Sequence, residues 1–413
     1  MKKLILSTFC LLLMSKFSAG QVVEYYTDIE PIIIKNCAPC HKKNGYGPFS
    51  LTTFDEVKNK GRFIKHVTET KYMPPWKADP EFRTFKNQRT LTEDEIQTIA
   101  QWVDGGMKKG KRNKSTLEIP KLNTLGDPDL ILTMKSAYEL SDEAIEDFRF
   151  FHLPTNLEKT TYIKAIEFEP GNKRYVHHSR IMADTTNKMS GIDGLAETDP
   201  KVVEFQKYPL ADEFLYGWVP GNLPISYPER TGKKLYANTD LILNIHYSPS
   251  SLKAQDNSKI KLYFAKEEID HDIKTLAIRE GDISNQPFYI KANTVPTFYV
   301  SYRVEEDMQL VSILPHMHYL GKSFKALALS PDGEAIPLIK IDQWDFNWQS
   351  SYFFEEPLFI PKGSTILITA EYDNTSDNPA NPNSPPIDVG YGWNSTNEMM
   401  NLVMYYYDNT SNQ

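Results

Sequence analysis

The sequence predicts three parts, a small all-α domain followed by two all-β sandwiches, and three observations carry that prediction. The chain has 413 residues, more than one ordinary core fills at roughly 150 residues per domain. Up to about residue 110 it reads as short helices with end signals. Beyond that come short alternating runs bounded by Pro, Gly, Asn or Asp. A composition of 40% hydrophobic and 24% charged residues is that of a globular protein. The formal charge of -8 argues against a polyanion-binding surface, and so against nucleic acid as a partner.

The elements follow in order. Lys2 and Lys3 precede an apolar run from Leu4 to Met14, and small residues Ser18, Ala19 and Gly20 follow it. This predicts a signal peptide over 1–20 and a periplasmic or secreted protein. Ser7, Thr8 and Phe9 before Cys10 are a poor match to a lipid-attachment site. No later segment approaches the roughly 20 apolar residues of a membrane helix, so no membrane span is expected. Only Cys37 and Cys40 lie beyond the leader, few for an exported chain whose compartment permits disulfides.

Residues 22–112 carry the helical signals. Asp28 precedes an apolar run to Ile34, 63–70 reads as a helix, and Thr92 with Glu95 forms a capping box opening a helix over 96–103. Gly105 and Gly106 end it. The basic, polar stretch that follows predicts a linker over 113–125. Next come the strand-like runs 161–168, 241–247, 309–314, 324–329 and 365–372. The polar stretch from Lys266 to Asp272 divides them into sandwiches over 126–266 and 267–413. Residues 374–386, rich in Asn, Pro and Ser, read as a long surface loop.

Cys37-Ala38-Pro39-Cys40-His41 is the c-type haem attachment pattern, in which two thiols bond the macrocycle and the adjacent His ligates iron. A disulfide or a thioredoxin-type redox pair is the alternative, but helical surroundings replace the βαβ context that pair requires. The sixth ligand is expected to be Met73, which Pro74 and Pro75 hold in an extended loop, with His66 as the rival. Met/His ligation raises the potential and suits electron transfer. The helical part is thus expected to be a cytochrome c domain with one haem c.

Of nine histidines, His41 belongs to that motif and five of the other eight fall in three settings: His177-His178, Asn244-Ile245-His246-Tyr247 and His316-Met317-His318. Residues two apart on a strand share a face, so His316 and His318 can converge on one ion while Met317 points away. Neighbours point to opposite faces, so His177 and His178 can share an ion only where the strand ends or bulges. Imidazoles suit copper and zinc, and a thioether beside them favours Cu(I), which makes Met399 and Met400 candidates.

From about residue 127 to 407 the order of motifs resembles the copper type II, ascorbate-dependent monooxygenases. The residues that carry the resemblance are His177-His178, then Leu243-Asn244-Ile245-His246-Tyr247, His316-Met317-His318-Tyr319-Leu320-Gly321-Lys322, and Asn397-Glu398-Met399-Met400-Asn401-Leu402. The resemblance implies two jelly-roll-like sandwiches and two coppers. His177, His178 and His246 would hold the electron-storing copper, and His316, His318 and Met399 the oxygen-activating one. Met399 is preferred to Met400 because it directly follows Glu398. The implied reaction is hydroxylation of an aliphatic C-H bond with O2, with electrons from ascorbate or a redox protein.

Two departures from the family stand out. No cysteine lies outside the haem motif and the leader, and Leu314 and Val403 replace the residues with which the peptide-amidating members grip a carboxylate, although Asn401 is retained. The organic substrate is therefore unknown, and a glycine-extended peptide is disfavoured. The attached haem motif suggests that electrons reach copper through the cytochrome. Two other readings compete: a non-catalytic haem and copper electron-transfer or copper-carrying protein, and a sugar-binding or deglycosylating sandwich pair. His152 and His271 lie outside the motifs, and Trp344, Trp348 and Trp393 read as core or cleft aromatics.

Overall fold

The computed structural model describes residues 22–86, 88–112, 117–120, 125–186, 188–205, 214–392 and 394–408. The expected signal peptide, most of the expected linker and Trp393 lie outside the described residues. What is described is mostly β-sheet, with the helices gathered near the N-terminus. No helix among the described residues is long and apolar enough to cross a membrane.

The main N-terminal helices are Glu30–Asn36, Phe54–Glu69 and Glu93–Asp104. The capping box at Thr92 and Glu95 forms as its sequence dictates. A second box, legible but unread in the sequence, starts the middle helix well before residue 63. The Glu56 amide donates to the Thr53 hydroxyl at 3.3 Å, and the Thr53 amide donates to the Glu56 carboxylate at 2.9 Å. Tyr25, Ile33, Val57, Ile99 and Trp102 close a small core between these helices.

Two layers make the first sandwich. One sheet runs in the order Leu130–Thr133, Lys259–Phe264, Thr161–Glu169, Thr231–Leu235, His271–Asp272, with Ile225–Ser226 also on Thr161–Glu169. The other runs Leu195–Ala196, Asp147–Leu153, Asp240–Tyr247, Val176–Asp184, Phe214–Trp218. Asp240–Tyr247 is central in its sheet and buried from Leu241 to Tyr247, which accounts for its nearly continuous apolar sequence.

The chain passes between sandwiches near the polar stretch the sequence marks: His271–Asp272 still pairs with Thr231–Gly232, and Lys274–Ile278 opens the second sandwich. There one sheet runs Lys274–Ile278, Asn401–Tyr407, Met308–His316, Tyr352–Ile360, and the other Thr297–Arg303, Thr365–Tyr372, Gly321–Leu329, Ala335–Ile341. In Thr365–Tyr372 Ile366, Ile368, Ala370 and Tyr372 are all buried, the period-two pattern of a strand with one face on the core. Val311, Leu314 and Tyr405 of this sandwich are buried with the core of the first, so the two share an apolar seam. The stretch 374–386 has neither helix nor strand.

A strap from the helical part lies across both sandwiches. Ala78 and Phe85 are buried in the second sandwich's core, and the rings of Trp76 and Phe85 each meet Tyr352 at 5.1 Å. Asp79 pairs with Lys340 at 3.0 Å. Toward the first sandwich, Arg89 Nη1 donates to the Gly221 carbonyl at 2.7 Å and Tyr46 packs on Trp218 at 5.7 Å. Because Phe85 is 2% exposed, Phe85→Ala is expected to destabilise the protein by about 3–5 kcal/mol. The check is a lowered midpoint of urea unfolding; an unchanged midpoint would mean the strap contributes nothing to the fold.

Candidate functional site

The strand Val176–Asp184 places two neighbouring histidines on one side through a bulge. His178 stands opposite His246 but Val176 stands opposite Tyr247, leaving His177 as the extra residue. The Nδ1 atoms of His177 and His246 each lie 3.3 Å from His178 Nδ1. The ligand atoms of all three fall within 4.8 Å of one another. Phe148 stacks on the His246 ring at 4.0 Å and 5° and fixes its plane. Burial lowers the pKa of each of the three, most strongly for His178 and His246, so the imidazoles are neutral and present lone pairs. Three imidazoles without a carboxylate among them fit a borderline ion such as copper or zinc.

His316 ends the strand Met308–His316 and His318 lies just beyond it; their ring centroids are 5.0 Å apart. Met317 between them is fully buried in the core. Each imidazole is oriented through Nδ1. His318 Nδ1 is 3.0 Å from the Asn397 carbonyl, and His316 Nδ1 is 2.5 Å from Gln349 Oε1, whose amide nitrogen in turn donates to the Phe346 carbonyl. Both rings thereby keep Nε2 for a ligand, the usual support for a metal-binding histidine.

The segment carrying Met399 is tied to His318 by Glu398. This fully buried carboxylate accepts from the amides of His318 at 2.9 Å, Leu320 at 2.6 Å and Met399 at 3.3 Å. Burial pushes its carboxyl up to about 8, against the pull of those amides. The turn between has no room for a side chain at Gly321, where a Cβ would fall 2.7 Å from Trp344 Cδ1. Met399 lines a cavity together with His316 and His318, whereas Met400 packs into the second core. Two imidazoles with a thioether fit copper, Cu(I) above all, better than zinc.

Both groups open on one cavity of about 180 Å³, which His178, His316, His318 and Met399 line. Phe346 stands between them, its ring 5.9 Å from His178 and 5.8 Å from His318. Glu146 accepts from Tyr319 at 2.6 Å and lies 3.7 Å from His246 Nε2, linking the sandwiches beside both groups. Leu314, Val403 and Asn401 are also in the wall.

Sequence reading passed over Phe346, Gln349, Glu146 and Arg180, whose Nε donates to Asn244 Oδ1 at 2.9 Å. Only Arg180 carried a signal, as a charge two residues after His178 on a strand. His152 pairs with Asp240 at 2.8 Å, the His271 ring lies against Tyr407 at 5.1 Å with a tilt of 31°, and Trp344 donates to the His318 carbonyl at 3.2 Å.

In the Cys37–His41 loop the cysteines are unbonded to each other. Burial pushes the Cys37 thiol up to about 12 and the Cys40 thiol up as well. Neither is a ready thiolate, which argues against a redox pair. His41 Nδ1 is 3.0 Å from the Phe49 carbonyl, leaving Nε2 available, and a Cβ at Gly47 would fall 2.5 Å from Nδ1. A histidine held this way fits an axial role to haem iron. Met73 lies in the loop after helix Phe54–Glu69, its amide bound to the Val67 carbonyl, and His66 lies in that helix's last turn.

The buried imidazoles set a pH dependence. The His318 pKa is lowered from 6.5 to about 4, with burial the main cause, and His178, His246 and His316 shift the same way. Below 6.5 the unfolded chain takes up protons that the folded one refuses, so stability is full above that pH and falls toward pH 4. Metal-free protein is expected to lose on the order of 2 kcal/mol by pH 5 through His318 alone. Thermal unfolding from pH 7 to 5 measures it, and His318→Asn should flatten the slope. Equal stability across that range would contradict the burial argument.

Residues 289–413 match the family model "Copper type II ascorbate-dependent monooxygenase, C-terminal domain". A Mus musculus protein, "DBH-like monooxygenase protein 2", is 26% identical over 391 residues, covering 86% of this chain. The chain spans 60% of that relative's length. Among solved structures, the major capsid protein P2 of Bacteriophage PM2 has a TM-score of 0.27 at 7% identity over 69% of this chain and 98% of its own. A two-domain protein of unknown function from Bacteroides fragilis has a TM-score of 0.17 at 12% identity, over 67% of this chain and 94% of its own. Scores this low carry no argument. Over residues 289–413 the chain is thus similar to the C-terminal domain of the copper type II ascorbate-dependent monooxygenases, and over most of its length to a DBH-like monooxygenase.

Proposed function

We propose that this chain is a copper-dependent monooxygenase that hydroxylates an aliphatic C-H bond with O2. One observation carries the reading: two unlike donor sets, three histidines on one side of Phe346 and two histidines with Met399 on the other, open on a single cavity. A relay or copper carrier has no use for an apolar chamber between its metals. The balance is one C-H bond and one O2, with two electrons and two protons, giving an alcohol and water.

Copper at the two groups supplies electron storage and oxygen activation, and haem c on Cys37 and Cys40 supplies a one-electron relay. His177, His178 and His246 would hold the storage ion, and their Nδ1 atoms face one another. His316 and His318 offer Nε2, held in place by Gln349 and the Asn397 carbonyl, and Met399 is the thioether ligand. Glu398 keeps His318 and Met399 at a fixed spacing. The cavity's apolar wall keeps water from the reacting centre.

In this reading His41 and Met73 would hold the haem iron, and residues 22–112 would be its cytochrome c domain. Tyr46 against Trp218 and Arg89 on Gly221 support a feed of electrons from that domain, since they hold it against the sandwich of the storage site. The external donor is ascorbate or a redox protein. The charged, apolar and small-residue order of 1–20 supports export to the periplasm or beyond the cell.

Metal analysis with optical spectroscopy tests the reading, on full-length protein matured in a host that attaches haem. The expected result is one covalent haem and about two coppers in wild type, and about one copper with the haem spectrum unchanged in His316→Ala and Met399→Ala. Copper content indifferent to both substitutions would sink the two-site assignment. A colourless protein would remove the haem.

A further inference from the structure

A buried carboxyl in the cavity wall has no part in holding either donor group. Glu197 follows the edge strand Leu195–Ala196, and its amide donates to the carbonyl of Phe148, the ring that stacks on His246. Its side chain is 6% exposed and lines the cavity with His178, His316, His318 and Met399. Glu197 Oε1 has no hydrogen-bond partner among the described residues. A buried polar atom left unmade costs free energy, and native proteins keep one chiefly where a ligand or water completes it.

The surroundings decide what completes it. The wall offers mostly apolar surface, from residues such as Phe214, Trp218, Leu314 and Val403. A cavity of 180 Å³ matches one ring with a short arm, since an apolar cavity of about 150 Å³ takes benzene. Four formally charged side chains share the wall, Arg180 and Arg279 against Glu197 and Glu280, so their formal charges cancel. A cationic ligand gains no net field from such a wall, and an anionic one would place its charge against Glu197. A neutral donor is accommodated without either cost.

We propose that Glu197 selects the substrate, accepting a hydrogen bond from a neutral hydroxyl on an otherwise apolar molecule about the size of one ring. The proposal deepens the monooxygenase reading and rests on it.

The experiment uses full-length, copper-loaded protein kept oxidised without donor, so that binding is read without turnover. Ligand-observed NMR gives affinities for toluene, benzyl alcohol, benzylamine and benzoate, and copper is measured on the same samples. Wild type is expected to bind benzyl alcohol about tenfold tighter than toluene. Glu197→Gln, which keeps an acceptor oxygen, should retain that preference, and Glu197→Leu should abolish it.

Equal binding of toluene and benzyl alcohol by wild type overturns the proposal, as does an undiminished preference in Glu197→Leu. Tighter binding of benzylamine or benzoate overturns the neutral class. Should Glu197→Leu fail to fold, the wild-type and Glu197→Gln affinities still decide. Full copper with no discrimination removes Glu197 alone, whereas absent copper removes the monooxygenase reading and the substrate role with it.

Discussion

Three backbone amides converge on the carboxylate of Glu398, and the geometry of the second donor group depends on that convergence. The amides belong to His318, Leu320 and Met399, two segments some 80 residues apart in sequence. An ion pair between side chains would leave two flexible arms to be ordered. A carboxylate seized by main-chain amides in a dry interior has almost no freedom, and it passes that rigidity to the imidazole and thioether beside it. The Tyr372 hydroxyl, donating to the Met399 carbonyl at 2.8 Å, holds the same segment from the opposite side.

The two donor groups are built by different devices, and the difference suits different tasks. In the first sandwich a bulge turns two adjacent histidines toward a third, and the three converge through the nitrogen nearest the backbone. Such a group is short-armed and stiff. In the second sandwich the nearer nitrogen is taken by Asn397 or Gln349, and the outer one projects into the cavity. The shared seam of Val311, Leu314 and Tyr405 with the first core fixes how the groups face each other across Phe346.

Much of this was legible in the chain. Alternation marked strands such as Thr365–Tyr372 because one face lies on a core, and the His-Met-His spacing marked two imidazoles on one side with Met317 turned into the core, although the strand itself ends at His316. Thr92 and Glu95 announced their helix for the same local reason. What stayed hidden depends on contacts distant in sequence. Gln349 meets His316 across 33 residues and Glu146 meets Tyr319 across 173, and no local pattern foretells either. The strap 76–89 was hidden too: Phe85 reads as an ordinary apolar residue of the helical part until Tyr352 and Phe354 close on it. The bulge at His177 lay between these cases, since the sequence stated the condition and only the register at His246 and Tyr247 met it.

Cys37 and Cys40 are the only cysteines beyond residue 20, and they are not joined to each other. Both sandwiches are therefore held without a disulfide. A protein that runs on reducing equivalents faces a conflict when its scaffold is stapled by disulfides, because the same electrons that charge its centres can cut the staples. This scaffold offers no such bond to cut. A strong reductant therefore finds no disulfide to cut in the walls of the chamber.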